Sequence, residues 1–154
     1  MERRITEEQV TKSILNWLEE NGWEIICFDF PQSGTGVSLH PNEELRSTKN
    51  KGAIIPDIVA VKNMIVVFFE NKDRFVLGDF IKLQGLKLGN DYSVSLDKLL
   101  KNLNHKKIFY GVGLPNTENT IKNTMENKEK IDFAIFVSSN RMSTVHYQAT
   151  LIFN

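Results

Sequence analysis

The sequence predicts an α/β fold, with helices flanking a mixed β-sheet. Three observations carry this expectation. A capped amphipathic helix opens the chain, short apolar runs bounded by Pro, Gly and Asn follow it, and a second leucine-faced helix separates the early runs from the late ones. The 154 residues, 41% of them hydrophobic and 25% charged, suffice for one core. With no internal repeat or linker, 1–154 is read as a single domain.

Thr6-Glu7-Glu8-Gln9 has the form of a capping box, with Thr6 as N-cap and Gln9 three residues on. Val10, Ile14, Trp17 and Leu18 then share one helical face, and Gly22 is a stop, which predicts a helix over 6–21. The run 23–30 is rich in strand formers and ends at Pro31. Residues 31–52 are dominated by Gly, Pro, Ser, Thr and Asn and are read as a long loop. Runs 53–61 and 64–70 are strands separated by Lys62-Asn63, a spacing that suits a tight hairpin. Residues 79–88 are ambiguous: Asp79 could cap a short helix, and Gly85 weakens it. Residues 95–104 form the firmer helix, capped by Ser95 with Leu96, Leu99, Leu100 and Leu103 inward. A strand is expected over 107–114, an exposed polar segment over 116–130, and late strands over 131–137 and 145–153, paired through 138–141.

Composition narrows the function classes. No run of 18 apolar residues exists, so no membrane span is expected. Met1-Glu2-Arg3-Arg4 leads into a charged amphipathic stretch, unlike a signal peptide. The one cysteine, Cys27, excludes an internal disulfide framework and fits a reducing cytoplasm. Nineteen Lys+Arg balance nineteen Asp+Glu, so any nucleic-acid contact must come from a local basic patch or be helped by metal ions. His40, His105 and His146 fit no ligand spacing.

Charges inside the hairpin carry the functional information. Asp57 interrupts an apolar strand, and Glu70 and Lys72 end the next one. With Lys62-Asn63 as a two-residue turn, Asp57 pairs with Phe68. Asp57, Glu70 and Lys72 then project from one face, the two acids as diagonal neighbours roughly 7–8 Å apart at the backbone. A register slip of one residue would separate them. Two such carboxylates need a shared proton or a shared cation, and hard oxygen donors with room for water favour Mg²⁺, with Mn²⁺ able to substitute. The Asn71 carbonyl is a further possible ligand. Lys72 can orient or deprotonate a water held there, so the reaction class is metal-assisted phosphodiester hydrolysis.

Pro56-Asp57, twelve residues, then Glu70-Asn71-Lys72 resembles the PD-(D/E)XK nuclease motif. The element order over roughly 6–114 resembles that superfamily's restriction-endonuclease-like αβββαβ core. The resemblance implies that Asp57 and Glu70 bind the metal and that Lys72 assists the nucleophilic water. It also implies an accessory acid on the first helix. Glu8 is the candidate by position, with Glu7 and Glu19 competing; Glu7 and Glu8 also suit the positive end of the helix dipole.

The compact chain and its polar loops favour a type II restriction endonuclease or its catalytic subunit, acting on double-stranded DNA. A chain this small cannot enclose a duplex alone, which implies a homodimer or a heterodimer with a specificity subunit. Gln32 and Ser33, with Arg46, Lys49 and Lys51, are the candidate DNA contacts. The alternatives are a structure-specific nuclease of the Holliday-junction resolvase kind and a non-catalytic nucleic-acid-binding module of the same fold.

Overall fold

In a computed structural model of the chain, the described residues are 4–29, 55–89, 100 and 107–153. Helix α1 (Glu7–Glu20) is followed by β1 (Glu24–Phe28), β2 (Ile58–Lys62), β3 (Ile65–Asn71), α2 (Leu77–Leu88), β4 (Lys107–Pro115), α3 (Glu118–Glu126), a 3₁₀ turn at Lys128–Lys130, β5 (Phe133–Val137) and β6 (Ser143–Gln148). The six strands form one mixed sheet in chain order. The β1–β2, β2–β3 and β5–β6 pairs are antiparallel, and β3–β4 and β4–β5 are parallel. The predicted α/β class is therefore observed: the described residues form a six-stranded mixed sheet flanked by the helices α1, α2 and α3. Among the described residues no helix is long and apolar enough to cross a membrane.

The capping box forms as read: Gln9 N donates to Thr6 Oγ1 (3.1 Å) and Thr6 N to Gln9 Oε1 (2.9 Å). Asn21 caps the far end of α1, and Gly22 takes the left-handed φ of +84° that lets the chain turn back into the sheet.

Alternation along the strands builds two cores. Val10, Ile14 and Leu18 of α1 pack with Ile58, Ala60, Val67, Phe69, Phe133 and Ile135 on one face. The chain's end closes that layer, with the Phe153 ring 5.3 Å from Trp17 and 5.1 Å from Phe133. Phe80, Leu83 and Leu86 of α2 pack with Val59, Val66, Phe68, Val112, Leu114 and Phe136 on the other, and Ile121 of α3 packs against the same layer. Two glycines of β4 permit the α1 layer to close. A Cβ at Gly111 would lie 2.4 Å from Phe133, and one at Gly113 would lie 2.3 Å from Ile14 Cδ1.

Several expectations are corrected. The β2–β3 turn is Asn63-Met64, at φ +51° and +67°, and not Lys62-Asn63. Both residues adopt the left-handed conformation that two-residue hairpins require. Lys62 thereby joins β2, where its Nζ donates to Asn21 O (2.6 Å). The segment 116–130, read as polar and exposed, is largely so, but it carries α3 with Thr117 as N-cap and buries Thr120 and Thr124. The ambiguous 79–88 segment is helical from Leu77, with Val76 and not Asp79 at the N-cap. The loop 31–52 and all of the predicted 95–104 helix except Leu100 lie outside the described residues. Leu100 itself is buried in the α2 layer.

Candidate active site

The hairpin delivers the site. Its observed register pairs Lys62 with Ile65 and Ile58 with Phe69. Continuing by one pair sets Asp57 opposite Glu70, where the sequence reading set it opposite Phe68. The turn moved by one residue, so the pairing moved by two and the side-chain parity survived. Both acids belong to the face that α2 covers, beside Val59 and Phe68.

The main chain closes around Asp57. Its N–H donates to Phe69 O (3.1 Å), and its Oδ2 accepts the Asn71 N–H at 2.6 Å. Glu70 is 6% exposed, and its Oε1 meets Lys82 Nζ of α2 at 3.0 Å. The predicted neighbour Lys72 turns instead to α1, its Nζ 3.4 Å from Glu7 Oε1. Its own N–H donates to Gly113 O (3.1 Å), which ties it to the end of β4. Asn71, fully buried, donates from Nδ2 to Thr11 Oγ1 (3.1 Å), one helical turn beyond Glu7. The residue between the two charges thus fixes α1 against β3.

The electrostatics follow from burial. Loss of water and then the facing Glu70 push the Asp57 carboxyl up to about 8, against the opposing pull of the Asn71 N–H and of Lys72. Glu70 is also raised by burial, with Lys82 working against the rise. Burial alone would lower Lys72, but Asp79, Glu7 and Glu70 outweigh it and the net shift is upward. Lys72 is therefore an ammonium at neutral pH, suited to orienting and charge compensation rather than to proton abstraction. Asp79, in the first turn of α2, acts on both Glu70 and Lys72, and its Oδ2 is buried without a hydrogen-bond partner.

Structure and sequence differ on the accessory acid. Glu8 pairs with Lys12 along α1 at 3.0 Å, both side chains well exposed, whereas Glu7 faces Lys72. In sequence Glu7 is a helix-dipole residue or a competitor for the accessory role, and sequence reasoning misses Lys82 and the role of Asp79. The available signal was Asp79-x-x-Lys82 on the helix immediately after Glu70-x-Lys72, since a three-residue spacing puts both on one face. Gln32, Ser33, Arg46, Lys49 and Lys51 lie outside the described residues.

Among the described residues no group of three or more His, Cys, Asp or Glu side chains is placed to hold a metal ion. The donor set is two carboxylates, Asp57 and Glu70, each with one oxygen engaged within the protein. With water completing the shell, that set suits Mg²⁺, which keeps several waters and takes one or two carboxylates. A dication there would also offset the burial and the facing Glu70 that together raise Asp57. Comparison of the chain with protein-family models, with curated proteins and with solved structures returns no match.

Proposed function

We propose that this chain is a metal-dependent endonuclease that hydrolyses DNA phosphodiester bonds, with a restriction-endonuclease-like core. The reading extends to a type II restriction endonuclease or its catalytic subunit, acting as a dimer or with a specificity partner. The observation that supports it best is the convergence of Asp57 and Glu70 on one face of the hairpin end, with the Lys72 ammonium beside them.

In this mechanism Asp57 and Glu70 would hold Mg²⁺, with the Asn71 carbonyl as a further possible ligand. The ion, when bound, polarises a phosphoryl oxygen and acidifies a water. Lys72 orients the attacking water and offsets the negative charge that develops on the phosphate. Glu7 holds the Lys72 side chain in place and keeps it charged. Lys82 opposes the rise that burial imposes on Glu70.

The test is Mg²⁺-dependent cleavage of plasmid DNA. Discrete fragments support a site-specific enzyme, and nicking or a smear supports the structure-specific alternative. Asp57→Ala and Glu70→Ala abolish cutting, while Lys72→Ala loses the rate and retains metal binding. Full activity in the Asp57 variant overturns the assignment. One observation favours a second reading, a non-catalytic binding module: each acid already has an internal partner, Asp57 in the Asn71 N–H and Glu70 in Lys82. DNA binding without cleavage at any Mg²⁺ or Mn²⁺ concentration would select it.

A further inference from the structure

A cleft of about 630 Å³ lies at the C-terminal ends of β4 and β5, and its lining includes Asp73 and Arg74, which directly follow Lys72 in the chain. One wall is Arg4 and Ile5, just before α1, and another is Asp73 and Arg74, just after β3; Asn116 and Asn119 at the start of α3 face them. Both walls are continuous in sequence with the site: Ile5 precedes Glu7 by two residues, Asp73 follows Lys72, and Glu7 and Lys72 form an ion pair.

The lining specifies a ligand class. Two guanidinium groups come from separate segments, and one carboxylate, Asp73, opposes them. Arg74 Nη1 binds Asp73 Oδ1 at 2.7 Å, and its side chain is 63% exposed, so most of its five donors remain for a ligand. Asn119 Oδ1 accepts Asn123 Nδ2 (3.3 Å), which leaves the Asn119 amide group as a donor. Among the described residues no aromatic ring lines the cleft, so they offer no platform for stacking a base. Guanidinium forks match phosphate oxygens.

We infer that this cleft, with Arg4 and Arg74 as its cations, binds a phosphodiester of the nucleic-acid backbone next to the one in the active site. The inference rests on the nuclease reading and extends it: the contact is to backbone and is indifferent to sequence. A strand held at Asp57 and Glu70 would continue past the Glu7–Lys72 ion pair to reach the cleft.

The experiment uses the full chain, metal-free, with a fluorescently labelled 20-base-pair duplex titrated between 50 and 200 mM salt. Two phosphate contacts contribute about 1.8 to the slope of log affinity against log salt. The Arg4→Gln/Arg74→Gln double variant is expected to lose that increment, so its fall in affinity across this range is about 12-fold smaller than in the wild type. The loss is expected to be equal for duplexes of unrelated sequence. Arg141→Gln, in the β5–β6 turn, is expected to keep the wild-type slope. A double variant with an unchanged slope, or an Arg141 variant that flattens it equally, overturns the cleft assignment and leaves the nuclease reading intact. Wild-type protein that neither binds nor cuts DNA overturns both. Binding with the predicted slope but without cleavage supports the cleft and removes only the catalytic reading.

Discussion

The two facing acids make the metal-free protein pH-sensitive in an unusual direction, and Asp57→Asn exposes it. Asp57 has an ordinary value of 3.8 and stands at about 8 in the fold, raised first by burial and then by Glu70. For a carboxyl raised on folding, the unfolded chain releases its proton first. Stability is therefore unaffected below pH 3.8, declines as pH rises through the interval to about 8, and levels off above it. At 1.36 kcal/mol per pH unit, the loss between pH 5 and 7.5 is about 3 kcal/mol, and by pH 7.5 the accumulated cost is on the order of 5 kcal/mol. The asparagine cannot ionise, and its Oδ1 still accepts the Asn71 N–H. Urea unfolding in EDTA, followed by the fluorescence of Trp17 and Trp23, reads the effect. The variant is expected to be flatter across pH 5–7.5 and more stable than wild type at pH 7.5 by about 2–4 kcal/mol, the deficit from the full figure being the burial of an amide. Millimolar Mg²⁺ is expected to restore wild-type stability at pH 7.5 and to leave the variant unchanged. Parallel pH profiles for the two proteins in EDTA would refute the reasoning.

Three further outcomes are expected. Gly113→Ala places a methyl 2.3 Å from Ile14 Cδ1 and 2.4 Å from Asn71 Oδ1, so it costs about 1–3 kcal/mol in urea unfolding and lowers activity by displacing α1. Met64→Gly relieves a non-glycine residue at φ +67° in an exposed turn, and is expected to raise stability by about 1 kcal/mol in the same assay. Lys82→Met removes the cation on Glu70, one-third exposed, and is expected to cost about 2 kcal/mol. Because Glu70 must ionise to hold a cation and its pKa is raised further in this variant, the ascending limb of the pH–rate profile moves to higher pH; an unmoved limb would detach Lys82 from the site.

The local rules were legible wherever apolar periodicity and capping chemistry agreed. Thr6 and Gln9 announced α1, and the alternation around Phe68 and Phe69 announced β3. The hairpin turn was misplaced because Met64 reads as a strand residue, and nothing in its side chain signals a left-handed backbone. Helix α3 was overlooked because its inward positions include Thr120 and Thr124, buried residues that a hydropathy pattern counts as polar. The core of the candidate site was readable from Asp57, Glu70 and Lys72, since side-chain parity along two strands survives a two-residue change of register. Its wider shell was not: the partners of Lys72 and Glu70 are set by how α1 and α2 seat on opposite faces, and only tertiary packing fixes which of two adjacent glutamates looks inward.

The order of the strands has a consequence for how the molecule assembles. Each strand is laid beside the one synthesised before it, so the sheet can grow by accretion, without a later strand being inserted between earlier ones. The opposed acids meet in the first tight hairpin, well before the parallel half arrives. Water screens the pair at that stage, and the cost of holding it rises only as the later strands and helices enclose it, since burial is the largest cause of the shift at Asp57.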